Sequence, residues 1–178
     1  GISSYVKTLL PDTMVIGVEP ADSPTLQQAL LAGEPVDLEH VGLFADGASV
    51  KRIGDNTFAL AKEYVDDVCL VDTDETCAAI KDMFEETRTV LEPAGALALA
   101  GAKKWLKRKA WKGKRVVAIT SGANMNFDRL RFVAERAEVG SQREALFAVT
   151  VPEQPGSFRK FIDILEHRPI TEFNYRFE

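Results

Sequence analysis

The side chains best suited to chemistry lie in three short polar turns. The Ser-Gly-Ala-Asn turn at residues 121–124 follows an apolar run, so a hydroxyl, an amide and backbone N–H groups converge at a predicted strand end. Asp46 and Gly47 form a second turn, and Glu92 stands directly before Pro93 at a predicted helix start. Turn formers also fill ordinary strand-to-helix turns, and a helix dipole alone stabilises a carboxylate at its N-terminus. The three turns are candidates for a binding site. Their spacing is equally compatible with ordinary turns and a helix cap that have only a structural role.

A complete catalytic set is not recognisable in this sequence. Its two histidines, His40 and His167, and its two cysteines, Cys69 and Cys77, form no Ser/His/Asp, Cys/His or zinc-ligand pattern. A glycine-rich phosphate loop is also missing from the pattern. We therefore predict no catalytic residue within these 178 residues, no metal site and two reduced thiols.

Composition indicates a globular chain of the cytoplasm. Of its residues 46% are hydrophobic and 28% charged, and 22 Lys and Arg against 27 Asp and Glu give a net charge of −5. The acidic balance argues against a nucleic-acid partner, and a basic cluster over residues 103–115 is expected to be solvated surface at a helix end. No apolar stretch approaches the ~20 residues that span a membrane, and no secretory leader is visible. The missing initiator Met and the abrupt end suggest a fragment.

Helix-like and strand-like segments alternate along most of the chain. The pattern predicts an open α/β sheet that is mostly parallel, with ligands at the carboxyl ends of its strands. Apolar spacing and capping residues predict helices over residues 2–10, 24–31, 55–64, 73–88, 94–106 and 127–137, and strands over 14–18, 68–71 and 115–120. The run at 115–120 has the clearest strand pattern.

The pattern changes after residue 139. Residues 139–143 are polar and read as a linker, followed by a predicted strand at 145–151, a helix at 158–165 and a strand at 170–177. We predict two domains, residues 1–140 and 144–178. The second is one βαβ unit, too small to form a stable sheet alone.

Four stretches together resemble the biosynthetic threonine dehydratases (threonine ammonia-lyases). They are residues 42–54, the Glu-Pro-Ala-Gly-Ala of 92–96, the turn at 121–124 and the Thr-Glu-Phe-Asn-Tyr-Arg-Phe of 171–177. The resemblance is collinear over the whole chain. It implies the open parallel sheet of fold-type II pyridoxal phosphate enzymes, similar to tryptophan synthase β, followed by the first βαβ of an ACT-like regulatory domain.

The resemblance also implies an activity. The family uses pyridoxal 5'-phosphate to convert L-threonine to 2-oxobutanoate and ammonia for isoleucine synthesis. Its Schiff-base lysine and glycine-rich phosphate loop lie upstream of this segment, so we expect no turnover by the fragment alone. The family further implies L-serine as a second substrate, isoleucine and valine as effectors, and a homotetramer.

Site residues follow from the same resemblance. Ser121 matches the family serine that hydrogen-bonds the pyridine nitrogen, and Gly122 and Asn124 shape the same turn. Asp46, Gly47 and Glu92 are expected to line or support the pocket.

A metal site of some relatives is not expected. Serine racemase and similar enzymes bind a divalent metal through a segment like residues 19–25, but here Thr25 stands where the second carboxylate ligand would be. No metal is predicted.

Two other functions remain open at this stage. One is a serine/threonine dehydratase of degradative type, against which the regulatory-type C-terminal segment argues. The other is a non-catalytic module in which residues 144–178 sense an amino acid.

Overall fold

The computed structural model describes residues 1–176. The chain divides into two compact units, residues Gly1–Ala145 and Leu146 onward. The helices of the described residues are α1 (Ile2–Leu9), α2 (Thr25–Ala32), α3 (Asp55–Tyr64), α4 (Thr73–Thr87), α5 (Pro93–Lys109), α6 (Arg129–Gly140) and α7 (Ser157–Leu165). The strands are β1 (Ile16–Pro20) and β2 (Asp67–Val71), and a short 3₁₀ turn covers Asp46–Ala48.

The two strands pair in parallel, as the alternating pattern predicts. Val18 of β1 lies opposite Cys69 of β2, and Pro20 lies opposite Val71. Helix α5 packs closely on this sheet, because a Cβ at Gly101 would lie only 2.4 Å from Cγ2 of Val18. The small-residue face of α5 therefore permits the close approach, and the predicted α/β architecture with a parallel sheet is confirmed.

Local capping chemistry explains why the helices begin and end where they do. Asp72 and Glu75 form a capping box at the start of α4, in which each side chain accepts a hydrogen bond from the other residue's backbone N–H. Gly33 ends α2 with a φ of 80°, a left-handed conformation that glycine adopts without strain.

The core of the first unit lies between the sheet and helices α4, α5 and α6. Its buried members come from all of these elements, and they include Cys69, Val71, Cys77, Ile80, Leu91, Ala96, Leu97, Trp105, Val133 and Ala137. This packing fixes the start of α5 relative to the strand ends.

The strand predicted over residues 115–120 is wrong, although the run is β-branched and apolar. The segment has no strand conformation, and Val117 is 88% exposed. A strand is stabilised by hydrogen bonds to a neighbour, and no partner strand lies beside this run among the described residues. The apolar pattern indicates only that these residues favour burial. Strand formation also needs a neighbouring strand, which the local sequence does not specify.

The second unit contains one helix among its described residues. Helix α7 confirms the helix predicted over 158–165, and its Phe158 ring lies 5.4 Å from the ring of Phe173. The flanking residues 145–151 and 170–176 have no strand conformation, which corrects the predicted strands, and Phe177 lies outside the described residues. The linker predicted at 139–143 is also partly wrong, because α6 continues to Gly140.

Across residues 1–176, no helix is both long enough and apolar enough to cross a membrane.

Candidate functional site

Glu92 connects the start of α5 to the turn at residues 121–124. Its backbone N–H donates to the carbonyl oxygen of Gly122 at 3.1 Å. Its carboxylate Oε2 accepts from the backbone N–H of Asn124 at 3.0 Å. Since Glu92 directly precedes the first helical residue, Pro93, these two contacts fix the turn over the helix N-terminus.

Two glycines allow this contact to be close. A Cβ at Gly122 would lie 1.9 Å from Oε1 of Glu92. A Cβ at Gly95 would lie 2.4 Å from the carbonyl oxygen of Gly122 and 2.8 Å from its nitrogen. Real Cβ atoms do not approach backbone so closely, so the contact of the turn with α5 requires glycine at position 95, whereas a Cβ at position 122 would require the flexible Glu92 side chain to move.

The third element of the site is the segment of residues 42–50, here called the cavity loop. The backbone N–H of Gly47 donates to Oδ1 of Asp46 at 3.1 Å, and the Ser49 hydroxyl donates to the carbonyl oxygen of Ala45 at 3.0 Å. A Cβ at Gly47 would lie 3.1 Å from Cβ of Ala94, so the cavity loop runs directly against the first turn of α5.

These three elements, together with residues at and before the start of α6, line an open polar cavity of about 380 Å³. Two carboxylates, two amides, one guanidinium and a glycine line it, namely Asp46, Glu92, Asn124, Asn126, Arg129 and Gly47. Arg129 donates through Nη1 to the carbonyl oxygen of Phe44 at 3.2 Å, and the same atom lies 3.9 Å from Oδ1 of Asp46. The volume lies in the range of small-molecule sites, roughly 300–1,000 Å³.

Most of the residues that the sequence singled out meet at this cavity. Asp46, Gly47, Glu92 and Asn124 line it, and Gly122 contacts Glu92 directly. Ser121 is exposed beside Gly122 and does not line the cavity. The structure therefore places the three predicted turns together.

Sequence reasoning missed two of the lining residues, Asn126 and Arg129. Asn126 follows the 121–124 turn by two residues, and nothing else in the sequence sets it apart. Arg129 is the first residue of α6, where a cation opposes the helix dipole. The unfavourable placement of a cation at a helix start is the sequence signal that could have indicated a role for Arg129 beyond the helix itself.

The segment of residues 19–25 is occupied by contacts within the protein. Burial raises the pKa of the Glu19 carboxyl, although Glu19 accepts hydrogen bonds from the backbone N–H groups of Leu26 at 2.6 Å and Gln27 at 2.9 Å. Thr25 donates through Oγ1 to the carbonyl oxygen of Val50 at 2.6 Å. Over residues 1–176, no group of three or more His, Cys, Asp or Glu side chains is placed to hold a metal ion.

A polar turn and a helix N-terminus beside a parallel sheet form the arrangement at which open α/β folds typically bind their ligands. Residues 1–122 match the family model described as pyridoxal-phosphate dependent enzyme, and the chain belongs to that family. Residues 135–178 match the C-terminal regulatory domain of threonine dehydratase. The family suggested by the sequence motifs and its cofactor class are thereby confirmed.

Curated relatives are similar along nearly the whole chain. This chain is 58% identical over 177 residues to the biosynthetic L-threonine dehydratase of Pasteurella multocida (strain Pm70). The aligned region covers 99% of this chain and 34% of that protein. It is 57% identical to the corresponding Escherichia coli K12 protein, again over 99% of this chain and 34% of the relative. The chain thus spans about a third of the length of these relatives.

Solved structures share the fold. The processed form of threonine deaminase isoform 2 from Solanum lycopersicum superposes with a TM-score of 0.75 at 41% identity, covering 76% of this chain and 40% of that one. Serine racemase from Dictyostelium discoideum gives a TM-score of 0.62 at 30% identity, covering 71% of this chain and 40% of that one. Both likenesses confirm the predicted fold class.

Proposed function

We propose that this chain is part of a pyridoxal phosphate-dependent threonine dehydratase. In the net reaction, L-threonine becomes 2-oxobutanoate and ammonia; the β-hydroxyl leaves as water, and water is taken up again as ammonia is released. The observation that carries the proposal is the Glu92 junction, which holds the 121–124 turn beside a polar cavity in a chain of this family. The names of the relatives supply the substrate.

The donor set at this turn fits the ring end of pyridoxal phosphate. Ser121 is exposed, so its hydroxyl can bond the pyridine nitrogen, and the glycine at position 122 leaves room for the Glu92 side chain against the turn. The bound cofactor supplies an electron sink next to the substrate α-carbon. A neutral hydroxyl does not hold the pyridine nitrogen protonated, which suits elimination better than transamination.

The other lining residues have supporting roles in this proposal. Asn124 is fixed by the Glu92 carboxylate and presents its amide to the cavity. Asp46 and Gly47 form the facing wall on the cavity loop. In a bound complex these residues would form one side of the site next to the turn that carries Ser121, and their polar groups would orient what binds there.

We further propose that residues 1–140 belong to the catalytic domain and residues 144–178 open an ACT-like regulatory domain. The match of residues 135–178 to the threonine dehydratase regulatory domain supports the regulatory assignment, and the division of the compact units after Ala145 supports a boundary near residue 144. Isoleucine is the proposed inhibitor and valine the proposed antagonist of that inhibition. A cytoplasmic homotetramer is the proposed assembly.

The test uses the full-length protein. We expect a visible absorbance band from bound cofactor, 2-oxobutanoate from L-threonine, slower pyruvate release from L-serine, and loss of threonine turnover when isoleucine is added. A cofactor band with serine turnover alone would overturn the substrate assignment. Threonine turnover unaffected by isoleucine would favour the degradative class instead, and a folded protein without cofactor band or turnover would refute the function.

A further inference from the structure

Two buried hydroxyl side chains outside the cavity have no part in the site described so far. Ser23 is 0% exposed and Thr25 is 2% exposed, and both lie where β1 turns into α2. Hydroxyl groups are rarely buried without a partner, so their contacts indicate what they hold in place.

Both side chains bond to the cavity loop. Thr25 Oγ1 donates to the carbonyl oxygen of Val50, at the end of the loop, over 2.6 Å. Ser23 Oγ accepts from the backbone N–H of Gly42, at the start of the loop, over 2.8 Å. Ser23 also donates to Oγ of Ser49 at 3.3 Å. The two ends of the loop are therefore attached to the same short turn.

That turn is itself rigidly placed. β1 pairs with β2, and Glu19 at its end accepts two backbone hydrogen bonds from the first turn of α2. From the other side, Arg129 donates to the carbonyl oxygen of Phe44 within the loop. The loop thus runs between a fixed sheet edge and the start of α6.

We propose that Ser23 and Thr25 are positioning residues of the active site. They hold the cavity loop so that Asp46 and Gly47 line the cavity, and this inference rests on the proposed function. At Gly47 the loop lies directly against the first turn of α5, because a Cβ there would lie 3.1 Å from Cβ of Ala94. Loss of either attachment lets the loop move away from the first turn of α5 and opens the wall of the cavity.

Substitution of Thr25 in the full-length protein tests the proposal. Thr25→Val removes the hydroxyl at nearly constant volume, and Thr25→Ser restores it. Thr76→Val is the matched control, because Thr76 is also 2% exposed and donates to a backbone carbonyl, that of Asp72 at 2.8 Å, away from the loop. Ser23→Ala tests the attachment at the other end of the loop. It replaces Thr25→Val in the comparison if Thr25→Val does not fold.

We expect kcat/KM for L-threonine to fall about tenfold in Thr25→Val and to recover in Thr25→Ser. The visible cofactor band of Thr25→Val should shift, since its surroundings change. Thr76→Val should lose similar stability yet keep kcat/KM and the cofactor band, when all variants are assayed at a temperature where they are folded.

Outcomes separate this inference from the proposed function. A wild-type protein without threonine turnover would refute the function. With an active wild type, the positioning role is overturned if Thr25→Val and Ser23→Ala keep wild-type kcat/KM, or if Thr76→Val loses as much activity as Thr25→Val.

Discussion

At the scale of single residues, Glu92 contacts the 121–124 turn through both its backbone N–H and its carboxylate. Glu92 and Ser121 are 29 positions apart in the sequence. These contacts bring the Glu-Pro motif and the Ser-Gly-x-Asn motif together at one place in the structure. The polar turns were predictable as candidates because their residue types favour turns and ligands. The contact between these turns could not be predicted from the sequence, since it depends on how α5 packs against the sheet.

Gly95→Ala tests whether the close contact of turn and helix is required. Alanine favours a helix over glycine by about 1 kcal/mol, whereas overpacking costs about 1–3 kcal/mol. The new Cβ would meet backbone atoms of Gly122 at 2.4 Å, so we expect the overpacking cost to dominate. The full-length variant should have a lower urea midpoint and weaker cofactor absorbance.

Gly54→Ala provides the control for that substitution. Its Cβ would have only Oγ1 of Thr57 nearby, at 3.8 Å, and its φ of −68° suits alanine. Cofactor absorbance should stay at the wild-type level. Equal cofactor absorbance in both variants would show that the Gly95 contact does not shape the site.

Cys77 makes stability sensitive to alkaline pH. Burial raises the pKa of its thiol to about 12 from an ordinary value of 9.0, and the side chain is 0% exposed. At a pH between these two pKa values, the Cys77 thiol is deprotonated in the unfolded chain and protonated in the folded chain. The free energy of unfolding therefore falls as the pH rises. Urea unfolding at about pH 8 and about pH 10 should show a smaller decline for Cys77→Ala than for wild type. Identical declines would contradict this origin.

At the scale of elements, the helices followed the sequence closely and the strands less so. Helix α3 has the predicted bounds of residues 55–64, and the start of α5 at Pro93 follows from local capping chemistry. The run at 115–120 shows the limit, because strand conformation needs a paired neighbour. Thus local signals predicted the helices and most of their starts, although α5 and α6 extend three residues beyond their predicted ends, and long-range pairing decided the strands.

The contact between α4 and α6 includes a charged pair that sequence spacing did not reveal. Arg136 of α6 donates through Nη2 to Oδ2 of Asp74 at 2.8 Å, and the side chains are only 33% and 20% exposed. We expect Asp74→Asn to lower the free energy of unfolding by about 1–2 kcal/mol, measured by urea titration.

An exposed carboxylate on α6 gives the comparison. Glu135 pairs with Arg131 at positions that are 49% and 84% exposed, so Glu135→Gln should cost less than about 0.5 kcal/mol. If Glu135→Gln cost as much as Asp74→Asn, burial of the Asp74 pair would not be the cause.

At the scale of the whole molecule, surface charge has a structural explanation. The basic residues at the end of α5 include Lys103, Lys104 and Arg108, which pair with Asp82, Glu75 and Asp67. Arg108 and Lys109 also lie over the ring of Trp105. These contacts agree with the predicted surface role of the basic cluster. Most of the polar residues that the sequence singled out lie instead at the polar cavity.

Under the proposed function, the turn held by Glu92 binds the cofactor ring through the hydroxyl of Ser121. The most direct measurement compares the visible cofactor spectrum and threonine turnover of full-length wild type, Ser121→Ala and the control Ser141→Ala, whose serine follows α6 away from the cavity. We predict a shifted cofactor band and about a hundredfold lower kcat for Ser121→Ala, with Ser141→Ala unchanged. A folded Ser121→Ala protein with a wild-type cofactor band and wild-type kcat would contradict the claim.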